Sequence, residues 1–138
     1  MKGQASLEWL VVLAATIAFA AVMLPQEQAI SQRAHQVLAE RVFEMALDRT
    51  AQLAEQAWAA GEGTQLEAEV RLPGQESEWH YTSEDSKLHL LIQVDNQTKT
   101  YNRTVPPMKP FTQTLEPGAY RVWAVYEDLK IKLNWEKN

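Results

Sequence analysis

Residues 4–24 read QASLEWLVVLAATIAFAAVML, and the rest of the chain is best understood by working outward from them. From Trp9 to Leu24, sixteen consecutive residues carry no charge, and alanine is interspersed with large aliphatic side chains. A segment that is apolar on every side has no face to present to water, so lipid or other protein must cover it. Sixteen residues fall short of the ~20 that span a bilayer. Adding Ala5, Ser6 and Leu7 reaches that length only by taking in Glu8. A carboxylate there is costly in hydrocarbon and usually has a partner or a function, unless it sits among the headgroups at the helix end.

Helical composition continues well past this run. Residues 4–60 hold 15 of the 18 alanines and no glycine, and their one helix breaker is Pro25. Gln26-Glu27-Gln28-Ala29 resumes the helical pattern at once, so Pro25 is expected to kink the helix rather than end it. At 1.5 Å per residue such a helix is roughly 85 Å long. That length without caps points to a membrane span, a coiled coil or a filament element. Residues 26–60 are amphipathic in two directions. Ile30, Ala34, Val37, Leu38, Val42, Met45 and Leu53 form one stripe, while Phe43, Leu47, Ala54 and Trp58 cluster on another face. One wide core face with ordinary exposed apolar residues would account for this. The sharper expectation is that one face packs on the protein's own domain and the other on neighbouring subunits.

The remainder is a different polymer. Gly61-Glu62-Gly63 marks a helix end and hinge, and residues 61–138 hold all four tyrosines, all four asparagines and five of the six prolines. Period-two alternation runs through Leu66-Ala68-Val70-Leu72, Trp79/Tyr81, Leu88/Leu90/Ile92/Val94, a segment through Tyr101, Tyr120/Val122/Ala124/Tyr126 and Leu129-Ile131-Leu133-Trp135. Six short antiparallel strands are expected, as a twisted sheet or small sandwich packed on residues 30–58, with immunoglobulin-like order among the possibilities. Pro106, Pro107 and Pro110 mark an irregular crossover able to carry the chain between sheets. The fold class is therefore α+β.

Composition narrows the chemistry. A formal charge of −5 over 138 residues argues against a nucleic-acid partner, since phosphate binding needs a basic face. The absence of cysteine excludes disulfide scaffolds, thiolate metal sites and cysteine catalysis. His35, His80 and His89 are scattered, and the acid pairs Glu67/Glu69 and Glu76/Glu78 alternate outward, so no catalytic, cofactor or metal site is expected. Asn96-Gln97-Thr98 and Asn102-Arg103-Thr104 are N-glycosylation sequons. Asn96 lies in a turn, and Asn102 is out of phase with Tyr101, which places both in solvent.

Lys2-Gly3, then Gln4-Ala5-Ser6-Leu7-Glu8, then the apolar run, together resemble the N-terminus of archaeal type IV pilins that carry a class III signal peptide. That pattern is Gln-x-Ser-x-Glu-x-x-x-Leu after a short basic leader ending in Gly. Gln4, Ser6 and Glu8 match it, and Val12 stands at the Leu position. The resemblance covers about the first 25 residues, including Pro25, where type IV pilins commonly kink. It implies a lollipop or ladle architecture: a leader (1–3), a hydrophobic membrane and filament-core helix (4–25), an amphipathic helix (26–60) and a β head (61–138).

The resemblance also implies a life history. A membrane-embedded prepilin peptidase would cut between Gly3 and Gln4. Glu8 would then neutralise the new α-amino group of an adjacent subunit during assembly, since an opposite charge within about 4–6 Å stabilises a carboxylate in hydrocarbon. The implied function is a structural subunit of an extracellular adhesion pilus. Its partners would be identical subunits, the peptidase, the pilus assembly machinery and, before assembly, the membrane. The alternatives are a minor or priming pilin, a monomeric membrane-anchored β domain that binds a ligand such as a carbohydrate, and a secreted domain released by cleavage at Ala18-Phe19-Ala20.

Overall fold

A computed structural model describes the backbone of residues 2–138 and the side chains from Ser6 onward. The chain forms two compact units, residues 1–37 and 38–138. Helix α1 (Lys2–Ala60) supplies the first unit and opens the second.

In the first unit every described side chain is exposed. Pro25 lies inside α1, and the helix continues through it. Proline has no N–H, so the carbonyl four residues earlier, on Ala21, loses its intrahelical donor at that turn. Thr16 is absorbed into the helix because its hydroxyl donates back to the Val12 carbonyl at 2.8 Å.

The second unit joins the C-terminal part of α1 to seven strands. They are β1 (Gln65–Leu72), β2 (Ser77–Thr82), β3 (Lys87–Val94), β4 (Gln97–Thr104), β5 (Phe111–Leu115), β6 (Gly118–Glu127) and β7 (Lys130–Lys137). All pairings between strands are antiparallel, in a three-stranded sheet of order β1-β6-β7 and a four-stranded sheet of order β4-β3-β2-β5. The helix ends where glycine permits it. Gly61 and Gly63 adopt φ of 99° and 87°, and the Gly63 N–H is received by the Tyr126 carbonyl at 2.8 Å, which fastens the turn to β6.

One core serves helix and both sheets. Alternation sends Tyr120, Val122, Ala124 and Tyr126 of β6 inward, with Trp79 and Tyr81 of β2 and Leu88, Leu90 and Ile92 of β3. From α1 come Phe43, Ala46, Leu47, Thr50, Ala51, Leu53, Ala54 and Ala57, all buried. Thr50 is tolerated because its hydroxyl donates to the Ala46 carbonyl at 2.8 Å. Trp79 meets Trp135 across the two sheets, with ring centroids 4.7 Å apart, and Trp58 of α1 lies 4.7 Å from Tyr126.

Four expectations are corrected. A seventh strand, β5, follows the proline-rich segment; its pattern Phe-Thr-Gln-Thr-Leu carries polar residues at all three middle positions and so lacks the usual apolar alternation. The segment itself does not move the chain between sheets. It links β4 and β5, the two edges of the same sheet, in a Greek-key return beside β2. On the way Lys109 N–H donates to the Ile131 carbonyl and Ile131 N–H to the Pro107 carbonyl, a parallel bridge to β7. The strand order also departs from the immunoglobulin arrangement, because β2, β3 and β4 stay together in one sheet. Leu129, finally, is not an inward strand residue. It sits in the β6–β7 turn at φ 59°, exposed.

Candidate assembly surface

An 18-residue window of α1 reaches a mean hydropathy of 2.3 with none of it buried, which makes the helix long and apolar enough to cross a membrane. Trp9, Leu10, Val11, Val12, Leu13, Ile17, Phe19 and Val22 are all largely exposed, Trp9 at 76%. Leaving that many apolar side chains in water is unfavourable at about 25 cal/mol per Å². Lipid or protein outside this chain must cover them. The polar flank is equally open: Ser6 and Glu8 are exposed, and Glu8 has no ion-pair partner among the described residues. Gly3 and the Gln4 side chain, at the expected cleavage point, lie outside the residues whose surroundings are described. Alanines at 14, 15, 18, 20 and 21 put little bulk between this helix and whatever approaches it.

The two faces expected over residues 26–60 separate in the structure. Phe43, Leu47 and Ala54 are fully buried against the strands. Ile30 and Val37 in the first unit, and Leu38 and Met45 in the second, stay exposed at 58–68%. Leu53 departs from its expected stripe and is buried, Trp58 departs from the other face and is exposed, and the helix packs on the strands from about Phe43 on rather than from Ile30. Nearer the start of the second unit, polar contacts replace apolar ones. Lys99 donates to Glu40 at 2.6 Å and Tyr101 donates to the same carboxylate at 3.1 Å; farther along, beside buried Leu47, Asp48 accepts from Arg103 at 2.5 Å. The hydrogen bond from Lys99 holds the Glu40 carboxyl below its ordinary range, and the same bond raises the Lys99 ammonium. Burial, with Glu40 second, pushes the Tyr101 phenol up.

Both sequon asparagines are exposed: Asn96 at φ 61° in the two-residue β3–β4 turn, Asn102 on the outer side of β4. Comparison with protein-family models, curated proteins and solved structures found no match. The strands also join histidines that are nine residues apart in sequence. His80 and His89 are register partners on β2 and β3, stacked with centroids 4.7 Å apart, and His89 Nε2 contacts Asp85 Oδ2 at 2.5 Å. That bond holds the Asp85 carboxyl below its ordinary range. Helical ligand spacing does not find such a pair, because cross-strand register, not chain distance, creates it. Among the described residues no group of three or more acidic or histidine side chains is placed to hold a metal ion.

Proposed function

We propose that this chain is the structural subunit of an archaeal, type IV-like extracellular filament, polymerising through residues 4–25 and displaying its β head. The observation that carries this reading is one continuous helix with two uses. Its C-terminal part closes the head's own core, while the described side chains of the apolar run after Gln4-x-Ser6-x-Glu8 are all exposed. Before assembly that run holds the subunit in the membrane. Afterwards the same surface packs against copies of itself, and Glu8 meets the α-amino group of a neighbour's Gln4. A buried pair of opposite charges in an apolar core also fixes register. Exposed Asn96 and Asn102 are the attachment points for N-linked sugar on the head.

The mature N-terminus tests the reading. Mass spectrometry of the chain from cells containing a prepilin peptidase is expected to show a start at Gln4, as such or cyclised to pyroglutamate. A start at Ala21, or an intact Met1, would overturn it.

A further inference from the structure

The outer face of the β1-β6-β7 sheet has a tryptophan at its centre. The burial phase of β6 turns its even-numbered residues inward, so Trp123 points away from the core and is partly exposed. Register sets it between Glu67 on β1 and Asn134 on β7. Its indole N–H donates to Glu67 Oε2 at 3.1 Å, which fixes the ring plane. One step along the sheet Glu69 faces Arg121. Arg49 from α1 joins Glu67, Ala68, Glu69 and Arg121 in lining a cleft of about 370 Å³; Trp123 stands outside that lining and borders it through its bond to Glu67. Two carboxylates and two guanidinium groups thus share one cleft, yet among the described residues no ion pair joins them. Their remaining donors and acceptors are directed to solvent or to a ligand.

We propose that Trp123 with Glu67, Glu69, Arg49 and Arg121 binds a pyranose ring. The choice follows from what the cleft and the indole bordering it can satisfy together. A pyranose has one face of C–H groups that packs on an indole, and a rim of vicinal hydroxyls that both donate and accept. Neighbouring carboxylates and guanidinium groups meet such hydroxyls in pairs, with charge-assisted hydrogen bonds. Two acids and two bases sum to zero, so the cleft offers no net field for a phosphate or another ion. A purely apolar ligand would strip water from four charged groups and return nothing. One ring on one tryptophan gives weak affinity. Many copies along a filament would raise it by avidity, and that gain alone rests on the filament reading.

The test uses the full chain in a zwitterionic detergent, because a maltoside headgroup would itself compete. Methyl β-glucopyranoside, methyl β-galactopyranoside, methyl α-mannopyranoside and the methyl glycoside of N-acetylglucosamine are titrated in turn. The Trp123 indole N–H resonance is followed by NMR and assigned with the Trp123→Phe variant. At least one glycoside is expected to move that resonance and the Glu69 and Arg121 amides saturably, with Kd on the order of millimolar. Glu69→Gln and Arg121→Met, both at exposed positions, should keep the native spectrum and bind that glycoside at least about five-fold more weakly. The proposal is overturned if no glycoside moves the indole resonance at about 100 mM. It is equally overturned if both variants bind as tightly as the natural chain. Because the detergent-dispersed subunit is the sample, failure here is separate from failure to polymerise.

Discussion

The two-residue turn between β6 and β7 holds Asp128 at φ 51° and Leu129 at φ 59°. With both central residues in the left-handed region it is a type I′ turn, which matches the twist of the strands it joins. Asp is tolerated there. A leucine Cβ crowds the following carbonyl at a cost of roughly 1–2 kcal/mol, and the side chain recovers little, being 67% exposed. Leu129→Gly removes that crowding and adds back roughly 0.5–1 kcal/mol of unfolded-chain entropy. The net expectation is a stabilisation of about 0.5–1 kcal/mol, read as a rise of a few degrees in the Tm of the head. An unchanged or lower Tm would mean that Leu129 makes contacts worth as much as the strain. Gly63 shows the contrasting case, a positive φ of 87° filled by the residue suited to it.

At the scale of the element, α1 serves two environments within a few residues of sequence. Leu47 is fully buried, and Met45, two positions earlier, is 68% exposed. Leu47→Ala should therefore cost about 2–4 kcal/mol by opening a cavity in the core, while Met45→Ala should stay within about 0.5 kcal/mol. Chemical denaturation of the two variants checks the assignment of faces, and equal effects would refute it. This division was largely legible beforehand, because the spacing of Phe43, Leu47 and Ala54 against that of Ile30, Val37 and Met45 requires two faces on any helix. Strands with regular alternation, such as Leu88/Leu90/Ile92, were equally plain. β5 was not, because an edge strand with Thr112, Gln113 and Thr114 in its middle gains its place from backbone pairing with β2 rather than from an apolar pattern. The same limit hid the Glu67–Trp123 and His80–His89 pairs. Alternation shows which side of a strand a residue occupies; register, settled by turns and long-range pairing, decides which residue lies beside it.

At the scale of the whole molecule, cohesion is unevenly placed. Among the described residues no buried hydrophobic side chain precedes Phe43, so the described side chains from Ser6 to Pro25 are not part of the second unit's core. Those residues instead carry most of the large hydrophobic side chains left open to solvent, from Leu7 to Leu24. Removing them takes away one lysine and one glutamate, Lys2 and Glu8, and so leaves the formal charge at −5. A charge of that size keeps a small domain dispersed. The chain lacking residues 1–25 should therefore be soluble without detergent and elute as a monomer. It should also unfold within about 2 °C of the full chain's head, because its buried surface is unchanged. Light scattering after size exclusion and a thermal melt followed in the near-ultraviolet measure both. Filaments from the truncated chain would move the proposed assembly onto the exposed stripe through Val37, Leu38 and Met45, or onto the head. One that fails to fold would show that the head depends on the apolar run after all. Solubility with an intact fold would show that the run from Ser6 to Pro25 adds nothing to the head's own core, which is what the proposed filament core requires of it.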